Sequence, residues 1–230
     1  MNGRIALCVP SRGRASILAR LVRSFQQTTS GNADLLIRNG EKDPTCAEYA
    51  VFDGIDSVIR VVGTDDGFGW PTATYCLAIE DLRLRYPDYS YYAMMEDDCT
   101  LLDSGWDKWL IDAFETFPNR VGVIHLVDVS NQIHALAASA EWINAVGHFM
   151  CPELREEAFD GLMRLAGSSM KQGTGARILH RPVPPHEGRG GFIYTGYADT
   201  RSYWDEDVRS FARWDMTEYQ KRILTAQEAR

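Results

Sequence analysis

Apolar positions in this chain follow two rhythms. Short, nearly continuous apolar runs occur at 4–9 (RIALCV), 33–40 (ADLLIRNG), 56–63 (DSVIRVVG), 91–95 (YYAMM) and 120–129 (RVGVIHLVDV). Runs of that length, bounded by Pro, Gly or Asn, predict buried strands. Between them, apolar residues recur at helical spacing. Ile17, Leu18, Leu21, Val22 and Phe25 form one stripe, with Arg20 and Arg23 opposite and Ser16 as the predicted N-cap. "PTATYCLAIEDLRLRY" predicts a second helix with Pro71 as its first residue. Trp106, Trp109, Leu110, Ala113 and Phe117 predict a third, opened by Asp103 or Ser104. "SAEWINAVGHF", "PELREEAFDGLMRLAG" and the C-terminal end also read as helices.

This alternation predicts an α/β fold, with a mostly parallel central sheet flanked by helices. A chain of 230 residues fits a single domain. Ligands of such sheets collect at the carboxyl ends of the strands. The loops expected there are "PSRGR", "NGEKD", "TDDGFG" and "EDD". Further on, "HRPVPPHEGRGGF" is too rich in Pro and Gly for regular structure. A loop of that length inside a domain is commonly functional.

Composition narrows the function classes. Hydrophobic residues make up 45% of the chain, enough for a sizeable core. No apolar run approaches the roughly 20 residues that span a bilayer, and the N-terminus lacks a signal-peptide pattern. Five scattered cysteines without a CxxC pair argue against a disulfide framework or a structural zinc. A reducing compartment, the cytoplasm, is therefore expected. A net charge of −8 disfavours generic nucleic-acid binding, although a local basic groove is compatible with it.

The candidate chemistry begins where the run 91–95 ends on Glu96, Asp97 and Asp98. Carboxylates held close together must be solvated, protonated or bound to a cation. At a buried strand end they suit Mn2+ or Mg2+, hard ions often bound jointly with phosphates. In an extended segment Glu96 and Asp98 would point the same way. The competing reading is a solvated turn that caps the next helix. Arg12 and Arg14 in "PSRGR" would supply guanidinium groups for phosphate, or else form an exposed basic turn. That loop is neither a Walker loop nor a GxGxxG turn. Among the five histidines, His186 lies in the Pro/Gly-rich loop, and His180 just precedes it.

Taken together, "IALCVPSRGRASILARLVRSF" and "YYAMMEDDCTLLDSGWDKWL" resemble family-2-type glycosyltransferases of the GT-A fold, in their phage and bacterial forms. In these, a strand ending Pro-Ser/Thr-Arg-x-Arg precedes a helix, and a later strand delivers a DxD-like acidic signature. "WINAVGHFMCPEL" and the Asp/Tyr-rich tail are similar to them more loosely.

The resemblance implies a nucleotide-sugar transferase, with residues 1–103 serving the donor and 104–230 the acceptor, and a lid-like loop over 180–192. By position it implies that Pro10, Ser11, Arg12, Arg14, Asn39, Asp65, Glu96 and Asp97 bind the donor. Asp98 and His186 would hold Mn2+ or Mg2+, with His180 as the alternative to His186, and Asp160 would be the base. Asn39 stands where the family often has an aspartate reading the nucleobase, and Cys76 where many members have an asparagine; both are departures.

Glu153, Glu156 and Glu157 are alternatives to Asp160. Acceptors left open are glycans, proteins, lipid carriers and hydroxymethylated pyrimidines in DNA. Arg177, Arg181, Arg189, Arg201 and Arg209 could form a patch for the last of these. Trp70, Trp142 and Trp204 could stack on a sugar or base, or serve as core. A nucleotidyltransferase using NTP and Mg2+, or a non-catalytic nucleotide-sugar-binding module, would fit the same fold class.

Overall fold

The computed structural model describes residues 3–64, 71–128, 133–149, 170–180 and 216–229. Its strands are β1 (Ile5–Pro10), β2 (Ala33–Gly40), β3 (Val58–Gly63), β4 (Tyr91–Met95), β5 (Cys99–Leu101), β6 (Val123–Asp128), β7 (Ile133–Ser139) and β8 (Met170–His180). They form one sheet in the order β3-β2-β1-β4-β7-β6-β8-β5. The half β3-β2-β1-β4 is parallel throughout, as is the β6–β8 pair. The pairs β4–β7, β7–β6 and β8–β5 are antiparallel. The described helices are α1 (Ala15–Thr28), α2 (Pro71–Arg85), α3 (Trp106–Phe114), α4 (Ala140–Val146) and α5 (Met216–Glu228).

Helices cover both faces of the sheet, and this explains the unbroken apolar runs. Successive strand residues point to opposite faces. Ile5, Leu7, Val9, Tyr91, Ala93 and Met95 join one core cluster, while Ala6, Cys8, Tyr92 and Met94 join the other. Since both faces are buried, neither set shows as a polar stripe. The first face is covered by Leu18, Leu21 and Phe25 of α1 and by Trp106, Leu110 and Phe114 of α3. Tyr91 stacks on Phe114, with ring centroids 4.7 Å apart. The second face is covered by Ile79 and Leu82 of α2, Trp142 and Ile143 of α4, and Ile223 of α5. Each fully buried side chain of this size contributes roughly 1.5–3 kcal/mol of transfer free energy.

Several local expectations shift. Helix α1 is capped by Arg14, not Ser16, because the chain enters it straight from the left-handed turn at Gly13 (φ 68°). Helix α3 starts after Gly105 (φ 73°), so neither Asp103 nor Ser104 caps it. It ends at Phe114, and Phe117 joins the core from the turn beyond. Trp142 is fully buried core, which removes it as a stacking platform. Strands β5, β7 and β8 were not expected from the apolar pattern.

One buried carboxylate ties the helices to the sheet. Asp107 accepts hydrogen bonds from the backbone N–H of Ser30 and Asn32 (both 2.9 Å) and from the hydroxyls of Ser30 (2.8 Å) and Thr29 (2.9 Å). The α1–β2 connection is thereby held on the N-terminus of α3. Burial alone would raise the Asp107 pKa, but these donors outweigh it and hold the carboxyl below its ordinary range.

Candidate active site

The site lies at the carboxyl edge of the parallel half. Strand β1 ends at Pro10, which has no N–H to give, and Ser11 N–H extends the ladder by one bond to Arg38 O (2.9 Å). The chain then turns through Gly13 into α1. Two residues from the β2–β3 connection fix this turn. Asp43 Oδ2 accepts the Gly13 N–H (2.9 Å), while its Oδ1 accepts the N–H (2.9 Å) and hydroxyl (2.8 Å) of Thr45. The Tyr49 hydroxyl accepts the Arg14 N–H (3.0 Å).

The carboxylate sets the direction of a short chain of hydroxyls. Ser11 O–H donates to Asp97 Oδ2 (2.6 Å), so the 2.9 Å contact with Tyr49 is made by the Tyr49 O–H donating to Ser11 Oγ. Burial pushes the Tyr49 phenol up to about 12, so it stays protonated and can play this part.

The acids form a turn, closed by Cys99 N–H donating to Glu96 O (3.2 Å). Asp97 and Asp98 are almost fully buried, and Glu96 is half-buried. The Arg14 guanidinium spans both buried acids, with Nη1 3.0 Å from Asp97 Oδ1 and Nη2 2.6 Å from Asp98 Oδ2. Burial raises Asp97 to about 6, against the opposing pull of Arg14 and Ser11. The buried carboxylates are thus partly neutralised by a cation of the protein's own.

The donor set fits a hard divalent ion. Glu96, Asp98 and Cys99 each place a ligand atom within 4.8 Å of the others. Burial pushes the Cys99 thiol far up, which leaves it protonated and a poor partner for such an ion. The pair Glu96 and Asp98 remains. The two converge through the turn and not along an extended segment; Asp97 faces Ser11 and Arg14 instead.

Asn39, next to last in β2, is fully buried, and its Nδ2 donates to Cys46 Sγ (2.9 Å). Its Oδ1 is buried without a hydrogen-bond partner. Its neighbour Arg38 runs under the β3 end, donates to Thr64 O (2.8 Å) and approaches Asp81 of α2 (3.5 Å).

Of the sequence candidates, Ser11, Arg14, Asp97 and Asp98 are joined directly, with Glu96 in the same turn. Pro10 closes the strand beneath them, and Arg12 is exposed on the same loop. Asp65, Asp160 and His186 lie outside the described residues, as do Trp70, Trp204 and most of 180–192. The backbone of His180 pairs with Cys99, one residue past Asp98, so β8 ends beside the acidic turn. Tyr49, Asp43 and Cys46 hydrogen-bond to Ser11, Gly13 and Asn39, respectively, and carry no sequence signal of that role. The only local signal, Asp43-Pro-Thr45, marks the Asx-type turn that organises the segment.

The chain has the GT-A fold of solved glycosyltransferases. Mannosyltransferase PcManGT from Pyrobaculum calidifontis, in complex with GDP-Man and Mn2+, is similar over 98% of this chain and 74% of its own (TM-score 0.59, 9% identity). GalNAc-T7 with UDP, GalNAc and Mn2+ is similar over 97% of this chain and 55% of its own (TM-score 0.61, 14% identity). S. aureus TarS in complex with UDP-GlcNAc is similar over 96% of this chain and 70% of its own (TM-score 0.61, 10% identity). No protein-family profile and no curated protein sequence matches the chain.

Proposed function

We propose that this protein transfers a sugar from a nucleoside-diphosphate sugar, a UDP-sugar first among them, to an acceptor hydroxyl, assisted by Mn2+ or Mg2+. The observation that carries the reading is the Arg14 guanidinium bridging Asp97 and Asp98 at 3.0 and 2.6 Å, at the strand edge where a GT-A fold holds its ligands. A basic loop and an acidic turn that meet there match a substrate whose leaving group is a diphosphate. The solved structures of this fold that contain nucleotides and Mn2+ support the same chemistry.

Each residue has a physical task. Glu96 and Asp98 would hold the divalent ion, which when bound supplies charge to stabilise the departing diphosphate. Arg14 and Arg12 offer guanidinium groups to the same phosphates. Ser11 and Tyr49 hold Asp97 and the loop backbone in place, so that these charges need no reorganisation during reaction. The acceptor hydroxyl must lose its proton to a base as it attacks, and Asp160 is assigned that role. His186 or His180 is assigned as the late ligand to the ion, Asp65 as a donor contact, and residues 104–230 as the acceptor half. The acceptors to test first are a glycan hydroxyl and a hydroxymethylated pyrimidine in DNA.

The test is product analysis. Purified protein, Mn2+ and a panel of UDP-sugars are incubated with glycans and with hydroxymethylcytosine DNA. Release of UDP with a matching sugar mass on an acceptor is expected, with loss of both in EDTA. Pyrophosphate release from NTPs without UDP release would overturn the reading in favour of a nucleotidyltransferase.

A further inference from the structure

The acidic turn carries a counter-cation of the protein's own, and the way it is mounted decides what can replace it. The Asp97 and Asp98 side chains are only 5% and 7% exposed, while that of Arg14, which bridges them, is 30% exposed. The guanidinium is therefore the solvent-facing member of the trio. The Arg14 backbone is pinned by its N–H to the Tyr49 hydroxyl (3.0 Å), so the side chain can move while the loop stays in place.

A divalent ion and this guanidinium compete for Asp98. Arg14 Nη2 stands 2.6 Å from Asp98 Oδ2. An ion bonded to either oxygen of that carboxylate at about 2.1 Å lies well inside the ~8 Å screening length of physiological salt from the same nitrogen. Burial of the acids weakens screening further, so the two cations repel strongly.

An exchange of cations leaves both acids served. Asp97 keeps the Ser11 hydroxyl on Oδ2 (2.6 Å) when Arg14 leaves Oδ1, and Asp98 trades the guanidinium for the ion. The displaced guanidinium then needs a new anion, and a phosphate takes it in the same two-pronged way as a carboxylate. A diphosphate has one phosphoryl group for the ion and a second for Arg14. A monophosphate must serve both cations with one.

We propose that Arg14 is a specificity-determining residue: it holds the acidic turn as a counter-cation until a diphosphate draws it off, so the divalent ion enters with a nucleoside diphosphate and binds poorly alone or with a monophosphate. This rests on the nucleotide-sugar reading given above.

Electron paramagnetic resonance of free Mn2+ tests this on the full chain, corrected for Mn2+ that the nucleotide binds in solution. Mn2+ is titrated alone, with UDP or GDP, and with UMP or GMP. In the wild type the diphosphates should tighten Mn2+ binding about tenfold or more, and the monophosphates by less than about threefold. In Arg14→Gln, Mn2+ alone should bind about tenfold tighter than in the wild type, and the diphosphate enhancement should shrink by a similar factor. Arg14→Lys keeps a cation, and should hold Mn2+ alone within about threefold of the wild type. Thermal melts give a second readout and show that each variant folds. Mn2+ alone should raise the melting temperature of Arg14→Gln, and should leave the wild type unmoved until the diphosphate is added. Equal affinity of wild type and Arg14→Gln for Mn2+ alone would overturn the proposal, as would equal enhancement by UDP and UMP. If no nucleoside diphosphate binds the wild type, the nucleotide-sugar reading itself falls, and diphosphate selection with it.

Discussion

Replacing Asp107 tests how the fold holds the site. The residue is fully buried and accepts hydrogen bonds from four donors, two backbone amides and two hydroxyls. Bonds to a charged acceptor contribute about 1.5–3 kcal/mol each, but they are not additive, and water can refill the partly exposed loop. Asp107→Ala should therefore cost about 3 kcal/mol. Asp107→Asn should cost nearly as much, because its NH2 would face donors. In a chain of this size that corresponds to a fall in Tm of roughly 6–12 °C. Urea unfolding at pH 7, followed by tryptophan fluorescence, measures the loss.

The pH dependence gives a second handle on the same residue. The folded-state pKa of Asp107 is held below its ordinary value, about 3.9 in an unfolded chain. Its contribution is fully present above that value and disappears as pH falls through the folded pKa. The stability gap between wild type and Asp107→Ala should thus narrow below about pH 4. A loss under about 1 kcal/mol at pH 7, or a gap unchanged down to pH 3, would refute the clasp.

Two further outcomes are expected. Arg14→Gln removes a cation beside Asp98, so Mn2+ affinity without nucleotide, read by electron paramagnetic resonance, should rise about tenfold while UDP affinity falls; unchanged Mn2+ affinity would separate Arg14 from the ion site. Gly63→Ala would drive a Cβ into the Arg38 guanidinium and should destabilise the fold by about 1–3 kcal/mol, and equal urea midpoints would show that Arg38 can move aside.

Strands β2 and β4 were legible to the residue, since both are buried on both faces and end at sharp polarity changes. Strand β7 was not, because "IHALAAS" is alanine-rich and runs into α4. Strand β5 has three residues, too few for a period, and β8 ("MKQGTGARILH") is polar and broken by glycine. The acidic turn and the arginine loop were legible because each is a concentrated charge motif. Their support was not. Asp43 and Tyr49 act on residues 30 to 38 positions earlier, and nothing local marks a tyrosine as the clamp on a distant loop.

The sequence distance between partners has a consequence for how the protein matures. Arg14 and Asp98 are 84 residues apart, and Ser11 and Asp97 are 86 apart. Strand β4 reaches its place beside β1 only after β2, β3 and α2 have been made. During synthesis the arginine loop therefore emerges long before its carboxylates, and closing so long a loop is slow. A nascent chain that stops before residue 91 has the arginine loop without its counter-charge. On the proposed ion site, acquisition of Mn2+ binding would mark the completed assembly of the parallel half, giving a folding clock that needs no acceptor.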